Sequence, residues 1–173
     1  MSSSWDTVLD GTKVALYPER VAAWARGERI APVTIDMALT RQCNFACRFC
    51  YAQMQENDRQ TITEAVMAGF LEDCAEIGVK GISLVSDGES TLSPAFASTL
   101  LRGRALGLHM ASGTNGLLFS RAWAEQLLPA LTYLRFNVSG GHPRRYAEIM
   151  GVKPGWFERV IQNIRDAVDV KRA

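Results

Sequence analysis

The sequence lacks features that would point to a membrane protein or to a nucleic-acid-binding protein. No apolar run approaches the roughly 18 residues that a membrane-spanning helix needs, so we expect no membrane partner. Charge of neither sign is in excess, because 19 Lys and Arg residues stand against 18 Asp and Glu residues. That balance gives no electrostatic reason to expect nucleic acid as a partner. The 173 residues are 47% hydrophobic, which fits one globular domain with a substantial core.

Cysteine is also scarce, yet three of the four cysteines fall close together. Cys43, Cys47 and Cys50 lie in the stretch RQCNFACRFCYAQ (41–53), and Cys74 lies apart from them. The start, MSSSWDTVLDGTKV, has no apolar segment of a secretion signal, so we expect a cytoplasmic, reducing location. In that setting, clustered cysteines are more often metal ligands or catalysts than disulfide partners. Three cysteines are one ligand short of a closed tetrahedral site.

Alternating strand and helix patterns predict an α/β fold with a parallel sheet. Short apolar strands are predicted at 33–39, 81–86, 108–112 and 133–139, and each is followed by a helical pattern. Consecutive strands joined through helices form parallel sheets with right-handed crossovers. We therefore divide the chain into an N-terminal extension (1–32) and a core of about four β/α units (33–173).

The helix after the first strand is predicted over 61–78. Thr61 and Glu64 form a possible capping box, and Gly78 stands where a helix commonly ends. Apolar residues at steps of three or four predict one buried stripe: Ile62, Val66, Phe70, Cys74 and Ile77. Cys74 is therefore expected in the core. His109, on the third predicted strand, is expected to be an interior histidine.

All four predicted strands end in unusual loops, which predicts a binding site at one edge of the sheet. These loops are the cysteine loop, SDGEST (86–91), SGTNG (112–116) and SGGHP (139–143). In parallel α/β folds, ligands collect at the carboxyl ends of the strands.

The cysteine spacing, with three and two residues between the cysteines, would let one loop wrap three thiolates around one metal centre. A cubane iron–sulfur cluster with three protein ligands keeps one iron open. The alternative is a zinc ion completed by His109 or His142, which would make the chain a non-catalytic module serving a partner. Zinc ligands usually come in separated pairs, which differs from this single group.

This C-x3-C-x2-C spacing, with Phe49 before the last cysteine, resembles the signature of the radical S-adenosylmethionine (radical SAM) superfamily. The pattern is most similar to the branch of molybdenum-cofactor protein A and the SPASM-type maturases. The resemblance implies a partial TIM barrel and a [4Fe-4S] cluster on Cys43, Cys47 and Cys50, whose open iron binds SAM. It implies an enzyme that cleaves SAM reductively to a 5′-deoxyadenosyl radical, which abstracts hydrogen from a substrate.

Other loops carry the same resemblance. SDGESTL (86–92) is similar to the family's G-G-E-P-T-L loop, with Asp87 in place of the first glycine, and TNG (114–116) resembles the family's T-N-G turn. The end of the fourth strand resembles the family's stretch that meets the SAM ribose or carboxylate. The SAM contacts implied in this way are Phe49, Tyr51, Gly88, Glu89, Thr114, Asn115, Asn137 and Ser139.

The resemblance also implies binding partners and a barrel longer than these residues can form. It implies an electron donor such as a flavodoxin or ferredoxin, and an unidentified peptide or small-molecule substrate. No cysteine follows Cys74, so we expect no second cluster within these residues. Because the family's barrel usually has six units, we expect residues 33–173 to be the N-terminal part of a longer barrel; the alternative is that a partner chain completes the barrel.

Overall fold

A parallel four-stranded sheet organises the chain, as a computed structural model covering residues 15–54 and 58–173 shows. Its strands stand in the order of the sequence: β1 (Thr34–Asp36), β2 (Gly81–Leu84), β3 (His109–Thr114) and β4 (Leu131–Phe136). All three pairings are parallel, and Ile35, Ile82 and Met110 stand side by side across the sheet. The predicted α/β fold is confirmed, with each strand end within three residues of its expected position.

Helices join the strands in the predicted alternation. The connections are α2 (Glu64–Glu76), α3 (Phe96–Ala105) and α4 (Arg121–Leu127), while α1 (Pro18–Ala25) precedes β1, and α5 (Pro143–Met150) and α6 (Gly155–Arg172) follow β4. None of the helices in residues 15–54 and 58–173 is both long and apolar enough to cross a membrane. The first 14 residues of the predicted N-terminal extension lie outside the described residues.

Two groups of buried apolar side chains hold these elements together. The main core lies between the sheet and helices α2, α3 and α4, and it includes Leu39, Leu71, Ile82, Phe96, Leu100, Met110 and Phe119. The second group, called here the small core, consists of Phe45, Leu117, Tyr146, Met150 and Val160. Because the small core joins the cysteine loop to α5 and α6, it bears directly on the site.

Helix α2 differs from its prediction at its start and in its buried face. Its N-cap is Thr63, whose hydroxyl accepts a hydrogen bond from the backbone N–H of Val66 at 3.3 Å, so the predicted Thr61–Glu64 capping box is wrong. The hydroxyl of Thr61 instead lies 2.7 Å from that of Thr40. The helix is followed by Gly78 with a φ of +88°, as expected.

The buried face of α2 consists of Met67, Leu71 and Cys74. Val66 and Ile77, which belong to the predicted stripe, are 62% and 59% exposed. Ile62 and Phe70, also in the predicted stripe, are partly buried and pack against the main core. The prediction is wrong for Val66 and Ile77, because two neighbouring stripes of this helix are both apolar and residue spacing alone does not choose between them. Cys74 belongs to both stripes and is buried in the core, as expected.

His109 was expected inside the protein, and that prediction is wrong. It is exposed at the amino end of β3, where its Nδ1 lies 3.3 Å from the hydroxyl of Thr132. The strand begins at this residue, so the side chain lies at the amino ends of the strands, whereas the cysteine loop lies at their carboxyl ends.

Candidate functional site

The three clustered cysteines lie in the loop that leaves the carboxyl end of β1. Cys43 is exposed, and Cys47 and Cys50 are half-buried. All three line one cleft of about 480 Å³, which the loop after β2 closes from the other side. Among the residues predicted to contact SAM, Tyr51 and Gly88 line the same cleft.

The end of α5 holds the cysteine loop in place. The backbone N–H of Ala46 donates to the carbonyl of Met150 at 3.2 Å, and that of Arg48 donates to Ile149 at 2.9 Å. Gly151 follows the helix with a φ of +64°, and a Cβ there would lie 2.3 Å from the carbonyl oxygen of Ala46. Sequence reasoning missed this support, because the glycine signals a helix end and not what packs against it.

On the other side, Gly88 allows the loop after β2 to approach the backbone that leads into Cys43. Its φ is +70°, and a Cβ there would lie 2.2 Å from the carbonyl oxygen of Thr40 and 2.7 Å from that of Gln42. The next residue, Glu89, donates its backbone N–H to the Gln42 carbonyl at 2.8 Å. Only glycine fits this contact without moving the cysteine loop.

Glu89 was predicted to contact SAM, and the structure shows both of its carboxylate oxygens engaged inside the protein. The residue is 4% exposed. Oε1 accepts hydrogen bonds from the hydroxyls of Thr91 at 2.6 Å and Thr114 at 2.7 Å, and from the Thr91 N–H at 3.3 Å. Oε2 accepts from the backbone N–H of Asn115 at 2.7 Å. Glu89 therefore ties the end of β3 to the loop after β2.

Asn115 continues this network to the cysteine loop. Its Nδ2 donates to the side-chain oxygen of Asn44 at 2.7 Å, and its Oδ1 accepts from the N–H of Leu117 at 3.1 Å. The Thr114 hydroxyl also accepts from the N–H of Gly116 at 3.0 Å. The side chains of Thr114 and Asn115 are thus buried and used to join the strand-end loops.

The remaining predicted SAM contacts stand on the same edge but do not line the cysteine cleft. The backbone N–H of Asn137 donates to the carbonyl of Thr114 at 2.9 Å, which places the end of β4 beside that of β3. Asn137 is exposed, Ser139 is half-buried, and Phe49 is exposed beside Cys50. Their contact with SAM stays a prediction.

Two charged side chains, Arg41 and Asp87, also line the cleft. A guanidinium nitrogen of Arg41 lies 3.8 Å from the carboxylate of Asp87 and another lies 3.5 Å from that of Asp58. A hydrogen bond to Asp87, together with its charge, raises the pKa of Tyr51. The cleft therefore presents both an anionic and a cationic side chain beside the cysteines.

The thiols of Cys43 and Cys47 are in an environment that disfavours their charged form. Burial raises the pKa of Cys47 to about 11, and the neighbouring Cys43 and Cys50 add to that effect. Burial also raises the pKa of Cys43. A metal centre binds thiolates and offsets the repulsion between them. A positively charged group bound between the three sulfurs would therefore stabilise their deprotonated form.

The donor set fits an iron–sulfur group better than a single zinc ion. Within residues 15–54 and 58–173, no three His, Cys, Asp or Glu side chains are gathered tightly enough to hold one metal ion. Neither His109 nor His142 lines the cleft, so the zinc alternative lacks its fourth ligand there. Three cysteines, with no fourth cysteine or histidine among the described residues of the cleft, match a cluster with one open iron.

Comparisons with known proteins point the same way. Residues 37–172 match the family model described as "Radical SAM superfamily". A probable GTP 3′,8-cyclase of Methanosarcina acetivorans is 24% identical over 166 residues, which cover 91% of this chain and 48% of that protein. A probable GTP 3′,8-cyclase of Saccharolobus solfataricus is 27% identical over 137 residues, with 79% and 44% covered. The chain spans about half the length of the curated relatives it matches.

Solved structures share the fold. Streptococcus suis SuiB bound to S-adenosylmethionine superposes with a TM-score of 0.71 at 20% identity, over 95% of this chain and 38% of that one. SuiB bound to its precursor peptide SuiA gives a TM-score of 0.71 at 19% identity, over 94% and 37%. At these identities the likeness shows the fold.

The close approach at Gly88 predicts that alanine is not tolerated there. Gly88→Ala should lower the free energy of unfolding for two reasons. An alanine in the left-handed backbone conformation costs about 1–3 kcal/mol. Its Cβ must also displace the Thr40 carbonyl, which adds to that loss. Gly107→Ala is the matched control, because Gly107 has a φ of +80° and nothing within 4 Å of a Cβ. Urea denaturation measures both, and equal losses would contradict the role assigned to the contact.

The four donors around Glu89 predict a large effect of Glu89→Gln. A glutamine amide must turn a donor toward groups that themselves donate, so we expect a loss of about 2–4 kcal/mol in the free energy of unfolding. Glu125→Gln, which removes an exposed ion pair with Arg121, should cost about 0.5 kcal/mol or less. Similar losses in the two variants, measured by urea denaturation, would refute the network.

Proposed function

Because this chain belongs to the radical SAM superfamily, we propose that Cys43, Cys47 and Cys50 hold a [4Fe-4S] cluster in the cleft and that SAM binds beside it. Members of this family use these two cofactors. The observation that carries the proposal is the presence of three thiols in one cleft, with no fourth cysteine or histidine among the described residues that line it. The open position among them is where SAM would bind.

When bound, the cluster would supply the electron for reductive cleavage of SAM to methionine and a 5′-deoxyadenosyl radical, and that radical would take a hydrogen atom from the substrate. The chain's own residues bind and orient the reactants. Asp87 offers a carboxylate for the ammonium group of the SAM methionine part, and Arg41 offers a guanidinium for its carboxylate. Gly88 keeps these side chains beside the cysteine loop, and Tyr51 adds an aromatic face to the same cleft.

Other residues would act along the edge of the sheet. Glu89, Thr114 and Asn115 hold the strand-end loops in register, which fixes the surface that a ligand extending from the cleft would meet. Asn137 and Ser139, at the end of β4, are proposed to contact the SAM ribose or carboxylate. Phe49 is proposed to pack beside the cluster. In this proposal residues 33–173 form the cluster-binding and SAM-binding part of the enzyme.

The substrate is proposed only by class, as a peptide or a small molecule. The matched relatives are named as GTP cyclases, whereas the matched SuiB structure contains a precursor peptide, so the comparisons span both classes. The reducing electron would come from a flavodoxin or ferredoxin.

Metal content tests the proposal. After anaerobic reconstitution, the chain should contain about four irons and four sulfides, and replacing Cys43, Cys47 or Cys50 by alanine should abolish that content. Cys74→Ala is the matched control, because Cys74 is buried in the main core, and it should keep the cluster. Stoichiometric zinc without iron would overturn the proposal in favour of a zinc-binding module.

A further inference from the structure

Three side-chain amides connect helix α6 to the cysteine cleft through the turn that follows β3. The first belongs to Asn163 on α6, which is 8% exposed. Its Nδ2 donates to the carbonyls of Gly116 at 2.7 Å and Leu117 at 3.1 Å. Val160, one turn earlier on α6, packs on the same turn, because its Cγ1 lies 3.2 Å from where a Cβ on Gly116 would stand. Helix α6 therefore fixes the position of this turn.

The backbone of the turn decides which way the second amide, that of Asn115, faces. The N–H of Leu117 can only donate, so the Asn115 atom that lies 3.1 Å from it is the side-chain oxygen. The amide nitrogen of Asn115 then faces Asn44, and the Asn44 atom at 2.7 Å is accordingly an oxygen. The Nδ2 of Asn44 is thereby turned away from Asn115.

The third amide, that of Asn44, stands at the cleft. Asn44 follows Cys43 directly and lines the cleft together with the three cysteines. It is half-buried, and its Nδ2 has no hydrogen-bond partner among residues 15–54 and 58–173. This nitrogen is not one of the fully buried unpartnered atoms of those residues, so it is accessible from outside the protein. The cleft thus contains an N–H donor whose direction is set by fixed neighbours.

We propose that Asn44 donates a hydrogen bond from its side-chain amide to an acceptor atom of SAM in the cleft, and that Asn115 and Asn163 are positioning residues for this donor. The inference rests on the proposed function, because it requires SAM beside the cluster. SAM carries acceptors on its carboxylate, ribose and adenine. A donor that is oriented before binding loses little side-chain entropy when SAM binds, so it adds affinity. In this arrangement Asn115 acts on SAM through Asn44.

The variant Asn44→Asp tests the donor, with equilibrium dialysis of radiolabelled SAM against the reconstituted chain under anaerobic conditions. The new side chain still accepts from the Asn115 amide but places a carboxylate oxygen where the donor was. The SAM dissociation constant should rise about tenfold, while the iron content stays that of the wild type. Gln162→Glu makes the same chemical change on the exposed side of α6, and as the matched control it should leave the dissociation constant unchanged.

The variant Asn115→Asp tests the positioning. One carboxylate oxygen still accepts from Leu117, but the other now needs a donor, so Asn44 must turn its amide and present its oxygen to the cleft. The SAM dissociation constant should again rise about tenfold. In an Asn44→Ala background there is no amide to turn, so Asn115→Asp should cause no further loss. A merely structural role of Asn115 would weaken SAM binding equally in both backgrounds.

Equal SAM affinity in Asn44→Asp and the wild type, or independent losses in the double variant, would overturn this inference alone. If Asn115→Asp fails to fold, Asn44→Asp still decides. A redox titration of Asn44→Ala without SAM should give the wild-type potential. A shifted potential would mean that the amide contacts the cluster and not SAM, which also overturns the inference. A wild-type chain that assembles no cluster would overturn the proposed function as well.

Discussion

The buried carboxylate of Glu89 joins the loops at the ends of β2 and β3, and the rest of the site depends on that junction. A carboxylate removed from water is tolerated only when its oxygens accept hydrogen bonds, and four donors from Thr91, Thr114 and Asn115 meet that need. The backbone N–H of the same residue binds Gln42, one residue before the first clustered cysteine. One residue thus fixes three consecutive strand ends relative to each other.

The cysteine loop is consequently held from two sides. Gly88 brings the loop after β2 against its start, and the end of α5, closed by Gly151, supports its middle. Because both contacts are made by backbone atoms, the position of the cysteine loop's backbone does not depend on side-chain rotamers, and all three cysteines line the cleft. Such support from neighbouring elements is what keeps the ligands of a metal site in a productive arrangement.

The features that the sequence predicted correctly are those marked by a pattern within a few neighbouring residues. The cysteine spacing, the strand pattern and the glycine after α2 are each read from a few neighbouring residues, and the fold assembled from them is confirmed. The N-cap of α2 was misplaced by two residues because Thr61 and Thr63 are equally good capping residues. His109 was misplaced because a strand pattern does not show where the strand begins.

Contacts between distant parts of the chain had no such signal. Ala46 and Met150 are more than one hundred positions apart, so nothing in the sequence around either residue shows that they pair. The hydrogen bonds that Glu89 and Asn115 make inside the protein could not be predicted for a related reason. Their positions in the loops suggested ligand contacts, and only the folded arrangement shows which donors and acceptors they meet inside the protein.

The central claim is that the three cysteines hold a cluster whose fourth iron is open to SAM. Mössbauer spectroscopy of the chain reconstituted with ⁵⁷Fe addresses it directly, because each iron contributes to the spectrum. Addition of SAM should change about one quarter of the iron absorption and leave the rest unchanged, since only the iron without a cysteine ligand can bind SAM. A spectrum that SAM leaves unchanged, or one without a [4Fe-4S] signature, would contradict the account.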